Sequence, residues 1–148
     1  VANTQRADAE LKHINLQFEV PPDPLHIEVD PERMTQVVTN LVSNAIKYTF
    51  EGGRVTLRLH TVAGDDTQAP YAVISVIDSG IGIASEHLPY LFQPFFRVDE
   101  NTKGTGLGLS IARDIVQLHQ GHIEVESELG VGTCFRVYLA LTNIVKGA

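Results

Sequence analysis

Cysteine is almost missing from this chain of 148 residues, and so are a basic surplus, long apolar runs, internal repeats and low-complexity tracts. The single Cys134 cannot close an internal disulfide, which fits a reducing, cytosolic setting better than a disulfide-built one. It lies in an alternating apolar stretch with no neighbouring histidine, and is expected as a core thiol rather than a nucleophile. A formal charge of −7 excludes the basic footprint by which nucleic-acid binders hold phosphate backbones, so no nucleic-acid partner is expected. No apolar stretch reaches the roughly 18 residues that span a bilayer, and no signal peptide reads at the start. What is present is an ordinary globular composition, 43% hydrophobic and 20% charged, at a length suited to one domain with a proper core.

Residues 1–12 are polar and helix-compatible and read as the tail of an upstream linker helix, with 13–148 forming the domain. Ile14–Val20 alternates as a strand and Pro21-Pro22-Asp23-Pro24 stops it; Leu25–Val29 reads as a second short strand. A helix is predicted from Asp30 as N-cap, Pro31 at the first helical position and Glu32 in the first turn. Met34, Val37, Val38, Leu41, Val42, Ala45 and Ile46 recur on one apolar face of it, and Glu51-Gly52-Gly53 turns the chain. Arg54–Val62 and Tyr71–Ile77 read as strands joined by a polar loop. After an aperiodic stretch, Leu107–Leu118 is helical again, with Gly121 as its C-terminal glycine. His122–Ser127 and Thr133–Leu141 complete the strands. Strands and helices mix without regular alternation, which predicts an α+β fold with helices on one face of a mixed sheet.

Three polar clusters stand out against this frame. In the first helix, Gln36, Asn40, Asn44 and Lys47 form one stripe beside the apolar face. Asparagine is a poor helix former, amide oxygens ligate Mg²⁺, and a lysine one turn on reaches phosphate as a point charge. Taken alone, the stripe reads equally as a solvated polar face. The second cluster, Asp78-Ser79-Gly80-Ile81-Gly82, sets a carboxylate at the end of an apolar strand. A desolvated carboxylate needs a donor, and adenine offers one at its amino group; glycines without a Cβ let backbone pass under a flat base. By itself this cluster reads as a common strand-ending turn. The third is Gly104-Thr105-Gly106-Leu107-Gly108-Leu109-Ser110, directly before a helix, where exposed N–H groups and the helix dipole suit an anion. No Lys-Ser/Thr pair follows at the phosphate-loop spacing, and the glycines sit too late for a dinucleotide fingerprint. A lid that closes over nucleotide is the better reading.

Taken in order, the motifs resemble the catalytic ATP-binding domain of two-component sensor histidine kinases, within the superfamily that also holds gyrase-type, heat-shock chaperone and mismatch-repair ATPases. The stretch from Gln36 to Thr49 looks like the N box, Asp78–Ile83 like the G1 box, Leu91–Arg97 like the F box and Gly104–Ser110 like the G2 box. Gly130-Val131-Gly132-Thr133 matches the closing glycine–threonine turn. The resemblance implies a two-layer α/β sandwich of the Bergerat type, with ATP between the N-box helix and a lid. It implies Asn44 as the Mg²⁺ ligand with Asn40 assisting, Lys47 on phosphate, and Tyr48 and Ile83 lining the nucleotide. Asp78 would take the adenine amino group, supported by Thr133 from a neighbouring strand. Gly80, Gly82, Gly104, Gly106 and Gly108, with Lys103, Thr105, Leu107 and Leu109, would admit base and phosphates. Phe92, Phe95 and Phe96 would anchor the lid, and Arg97 would reach the terminal phosphate.

One departure narrows the chemistry. The gyrase-like ATPases carry a water-activating Glu one turn before the metal-binding Asn, and this chain has Asn40 there. Hydrolysis is then expected to be slow and the γ-phosphoryl saved for another acceptor. An acceptor histidine is not evident: His13 sits at a strand start, and His26, His60, His87, His119 and His122 are scattered, with no zinc site expected. The resemblance therefore implies partners outside the chain, a dimerisation and histidine phosphotransfer domain of the same parent and a response-regulator receiver. The domain itself is expected to be a cytoplasmic monomer, from a parent that the resemblance allows to be anchored in the inner membrane. The alternatives are an ATP-binding regulatory module without transfer and a hydrolysing ATPase of the wider superfamily.

Overall fold

The computed structural model describes residues 2–22, 27–62, 70–96 and 107–141. Five strands form one sheet in the order β1-β2-β3-β5-β4, with β1 Asn15–Glu19, β2 Arg54–Val62, β3 Tyr71–Asp78, β4 His122–Glu128 and β5 Gly132–Ala140. β1 runs parallel to β2 and every other pairing is antiparallel, so the sheet is mixed as expected. Leu25 and His26 of the expected second strand lie outside the described residues. Ile27–Val29, its remainder, is not strand, because no neighbouring strand pairs with it.

Period-two alternation sorts β5 into two faces: Thr133, Phe135, Val137 and Leu139 are buried, while Cys134, Arg136, Tyr138 and Ala140 are only partly so. The buried set joins Val55 and Val76 beneath two helices, α2 Pro31–Tyr48 and α3 Gly108–Leu118. α2 contributes Met34, Val37, Leu41, Val42, Ala45 and Ile46, and α3 contributes Ala112, Ile115 and Val116. The layers are thus helix over sheet. Cys134 is half-buried rather than buried, because it pairs with Ile77 and Glu126 on the helix-free face. Burial still raises its thiol above the ordinary range.

The helix ends show where sequence signals hold. Asp30 caps α2 as expected, its Oδ1 accepting from the N–H groups of Glu32 and Arg33 at 3.0 and 3.3 Å. α3 closes differently from expectation. Gln120, not Gly121, takes the left-handed position at φ 62°, and Gln120 N–H donates to Gln117 O while Gly121 N–H donates to Val116 O, each at 2.9 Å. Gly121 is a glycine because a Cβ there would sit 2.3 Å from the Tyr138 carbonyl oxygen. His119 links the two helices, since its Nε2 accepts from Asp30 N–H at 3.0 Å while its Nδ1 lies 2.8 Å from Ile115 O.

Residues 2–11 form a helix, α1 Ala2–Leu11, which packs into the core through Ala9. It ends with the same paired bonds: His13, at φ 56°, donates to Glu10 O and Ile14 donates to Ala9 O. His13 therefore lies in a helix-closing turn before β1, not in the strand.

Packing of this kind predicts a sharp contrast in stability. Leu41, fully buried, should lose about 2–5 kcal/mol as Leu41→Ala. Leu118→Ala, at a side chain 71% exposed, should stay within about 0.5 kcal/mol. Urea midpoints measure both, and similar shifts for the two would contradict the assigned core.

Candidate functional site

The end of the α2 stripe meets the Asp78–Gly82 turn at one end of the sheet, and the described part of the third cluster, from Leu107, touches the stripe at Asn40. β3 ends at Asp78, which pairs with Thr133 at the start of β5 and with Val55 near the start of β2. Asp78 Oδ1 accepts from the Gly80 N–H at 2.9 Å and from the Thr133 N–H at 3.2 Å. No described group donates to Oδ2. Thr133 Oγ1 lies 2.7 Å from Ser127 Oγ, and Ser127 Oγ accepts from Ile83 N–H at 2.7 Å. Asp78 is thus held from behind by β5, and the segment leaving it is stitched to the end of β4.

Glycine in the Asp78–Gly82 turn has a reason that needs no ligand. A Cβ on Gly80 would lie 2.3 Å from the Tyr48 carbonyl oxygen, and one on Gly82 would lie 2.1 Å from that of Glu128. Gly82 also holds φ 74°, which other residues rarely adopt. The turn is wedged between the end of α2 and the β4–β5 connection. Ile81 N–H donates to Tyr48 O at 3.1 Å and Gly130 N–H donates to Ile81 O at 2.8 Å.

Along α2 the stripe runs from α3 to this turn. Asn40 Nδ2 donates to the Gly108 carbonyl at 3.1 Å, so the first residue of α3 touches the stripe. Asn44 follows one turn later, half-buried, its side-chain amide making no hydrogen bond to a described residue. Lys47 is exposed, its Nζ 5.8 Å from the centroid of the Tyr48 ring. From Asn40 to Tyr48 the rise is about 12 Å at the helical repeat. Leu107, at the N-cap of α3, offers no side-chain cap, although its carbonyl accepts from Ser110 Oγ at 2.9 Å. The first N–H groups of α3 therefore lack a capping side chain. Leu109 packs against the core and leaves Gly108 exposed beside Asn40.

The aromatic cluster divides. Phe92 packs edge-on against Phe135 at 6.2 Å, and Phe96 lies 5.9 Å from both His87 and Tyr90. Phe95 stands at φ 66° and is 70% exposed, and makes no ring contact with another described residue; the lid it is expected to anchor lies outside the described residues. Arg97, Lys103, Gly104, Thr105 and Gly106 lie outside the described residues. A groove lined by Glu19, Pro22, Arg58 and His60 sits on the outer strands, several residues along from Asp78, and shares no residue with this site.

Sequence reading missed three supports: Ser127, which ties Ile83 to Thr133; His119, which joins α3 to the α2 cap; and Lys12, whose ammonium reaches the end of α2. None has a local signal, since their partners are far away in sequence.

The comparisons agree with this geometry. A family described as "Histidine kinase-, DNA gyrase B-, and HSP90-like ATPase" matches residues 29–143. The histidine protein kinase DivJ of Caulobacter vibrioides is 38% identical over 137 residues, 90% of this chain and 22% of that protein. The sensor histidine kinase WalK of Bacillus subtilis is 40% identical over 126 residues, 82% of this chain and 20% of that protein. The chain spans about a fifth of the length of these two relatives. Among solved structures, the nucleotide-free catalytic domain of the histidine kinase ThkA aligns with a TM-score of 0.76 at 34% identity, over 93% of this chain and 87% of that one. Full-length ShkA in complex with AMPPNP aligns with a TM-score of 0.76 at 30% identity, over 93% of this chain and 30% of that one.

The carboxyl of Asp78 is open to a test that needs no ligand. Burial raises its pKa above the ordinary range, and the Gly80 and Thr133 amides offset this only in part. The native state then holds the proton more tightly than the unfolded chain. This group's contribution to stability is fullest in acid and is lost as pH rises through the folded value. Asp78→Asn keeps an oxygen for both amides and removes the charge. Its melting temperature relative to wild type should therefore climb from acid to neutral pH; a flat or falling difference would contradict a desolvated carboxylate.

Proposed function

The chain belongs to the histidine kinase-, DNA gyrase B- and HSP90-like ATPase family, as an ATP-binding catalytic domain of a histidine kinase, and we propose that it holds Mg·ATP along the α2 stripe and passes the γ-phosphoryl to a histidine on another domain of its parent. The observation that carries the proposal is Asp78: a half-buried carboxylate whose described donors both occupy Oδ1, leaving Oδ2 as an acceptor for the adenine amino group. The base would lie at that end, over the Gly80–Gly82 turn and beside Tyr48 and Ile83. The phosphates would extend along α2 toward Asn40 and the start of α3.

The residues present suit magnesium. Asn44 is a half-buried amide without a described partner, and among the described residues no group of three or more His, Cys, Asp or Glu could cage a metal. Mg²⁺ takes few protein ligands and keeps phosphate oxygens and water in its shell, which suits one amide oxygen at that position. Bound there, it would neutralise charge on the phosphates. Lys47 adds a point charge one turn on, and α3 begins beside Asn40 with no capping side chain at Leu107. Arg97 and the stretch from Lys103 to Gly106 are assigned to lid closure and to the terminal phosphate by the resemblance.

Asn40 decides what happens next. An amide at that position takes no proton from water, so the domain lacks the base that would turn over ATP by hydrolysis. The attacking group is a histidine ring nitrogen supplied from outside, which forms a bond to the γ-phosphorus as the bond to the leaving ADP oxygen breaks. The outside partners are a dimerising helical hairpin carrying that histidine and a receiver domain that later takes the phosphoryl group. The reading places the domain in the cytoplasm, and among the described residues no helix is long and apolar enough to cross a membrane.

Labelled ATP tests this division of labour. Alone, the chain should bind Mg·ATP and leave itself unlabelled. With the parent's hairpin added in trans, label should appear on the hairpin as an acid-labile, base-stable phosphoramidate. Asn44→Asp should cut that transfer by about a hundredfold without changing the circular dichroism. Binding without any label on the hairpin would favour a module that only senses ATP, and steady phosphate release by the chain alone would favour an ATPase.

A further inference from the structure

The C-terminal end of α2 is closed by a side chain from another helix. Lys12 Nζ donates to the carbonyl oxygens of Ile46 at 2.9 Å, Lys47 at 2.9 Å and Thr49 at 2.8 Å. An ammonium has three hydrogens, and all are used. These carbonyls belong to the last turn of α2 and its C-cap, where Ile46 O also accepts from Thr49 N–H at 3.3 Å and where a cation is favoured by the helix dipole. The carbonyl between them, Tyr48 O, accepts from Ile81 N–H at 3.1 Å and is the atom a Cβ on Gly80 would strike. The end of α2 is thus shared between α1 on one side and the Asp78–Gly82 turn on the other.

Lys12 is itself fixed in place. It ends α1, where His13 turns left-handed and the N–H groups of His13 and Ile14 bond back to Glu10 and Ala9. Ala9 and Ile14 are both buried in the core. The root of the lysine is therefore held as firmly as its tip.

We propose that Lys12 is a positioning residue for the nucleotide site: its ammonium fixes the end of α2 on which the Asp78–Gly82 turn is seated, so the placement of α1 sets the affinity at Asp78. The proposal rests on the ATP reading above. Without the ammonium, the carbonyls of Ile46, Lys47 and Thr49 lose this shared donor, Ile46 O keeping the Thr49 N–H at 3.3 Å, and the last turn of α2 loosens. Tyr48 O then no longer offers a fixed acceptor to Ile81. The turn below Asp78 loosens, and the carboxylate loses its set direction. α1 thereby becomes a lever on the site, since moving it withdraws the ammonium.

Lys12→Met keeps the length of the stem and removes the donors, while Lys12→Arg keeps a cation. Hydrogen exchange is read at the Gly80 and Ile81 amides, and ATP affinity by calorimetry. Leu139→Val, in the core near the far end of β5, serves as a control of lowered global stability. In Lys12→Met, the Ile81 amide should exchange faster than in that control and ATP should bind about fivefold weaker or more, the low end of coupling between linked sites. Lys12→Arg should recover part of both. Affinity equal to wild type in Lys12→Met, or Ile81 exchange no faster than in the Leu139→Val control, overturns the proposal. A wild-type chain that binds no ATP overturns the ATP reading instead, and the exchange at Ile81 still decides whether Lys12 holds the turn.

Discussion

Close backbone packing around Asp78 is the constraint on which the rest of the site depends. Gly80 sits against the Tyr48 carbonyl, Gly82 against the Glu128 carbonyl and Gly132 against the Asp78 carbonyl itself, each so near that a methyl group would overlap the oxygen. Three elements therefore meet at van der Waals distance: the end of α2, the strand end of β3 and the β4–β5 connection. Interiors packed at that density leave little room for adjustment. The carboxylate cannot rotate away, because two amides hold one of its oxygens and the strand pairing fixes its root. A group prepared in this way can discriminate a base edge without reorganising when the base arrives.

At the other end of the stripe the chemistry is gentler. Amides rather than carboxylates line α2 at Asn40 and Asn44, so phosphate oxygens would meet no like charge there. The net charge of −7 makes this choice matter, since a surface with 18 acidic residues could easily repel a nucleotide. The lone carboxylate of the motifs is set about a helix's length of eight residues away from Asn40, where the uncharged base would lie. Under the proposed function charge would be sorted along the strip, with the acceptor of Asp78 at the base end, the amides of Asn44 and Asn40 toward the phosphates, and Lys47 between Asn44 and Tyr48. The amide at Asn40 that would spare the phosphates repulsion would also leave water without a base there.

Much of this was legible in the sequence, for a physical reason. α2 carried its own start signal in Asp30-Pro31-Glu32 and a strict apolar period, both local properties of the chain. β2 was legible from its alternation and bounding glycines, and its ends fell where expected. What failed was non-local. Ile27–Val29, the described part of the expected second strand, has strand-like residues but no described strand beside it, and only tertiary structure reveals that. Gly121 was read as a helix terminator from its position; the conformation fell to Gln120, and Gly121 answers instead to the Tyr138 carbonyl across the sheet. The sequence reads Gly80 and Gly82 as making room for a base, and the structure adds a second reason, since their own neighbours already forbid a side chain. Phe95 shares its letter with Phe92 and Phe96 but not their burial, and its left-handed backbone is a feature no local pattern announces.

α2 can carry two poor helix formers on its working face because both of its ends are clamped from outside. At the N-terminus Asp30 caps two N–H groups while its own N–H is bound by His119 from the end of α3. At the C-terminus three carbonyls close on Lys12 and the fourth on Ile81. Fraying begins at helix ends, so a helix fastened at both of them keeps its middle in register even where local propensity is low. The Asn40–Asn44 stripe is therefore presented by a rigid rod whose position is dictated by α1, α3 and the β3 turn together. Positioning to a fraction of an ångström is what the proposed phosphoryl transfer to an outside histidine would ask of this domain. The fold supplies it by fastening one helix from three sides.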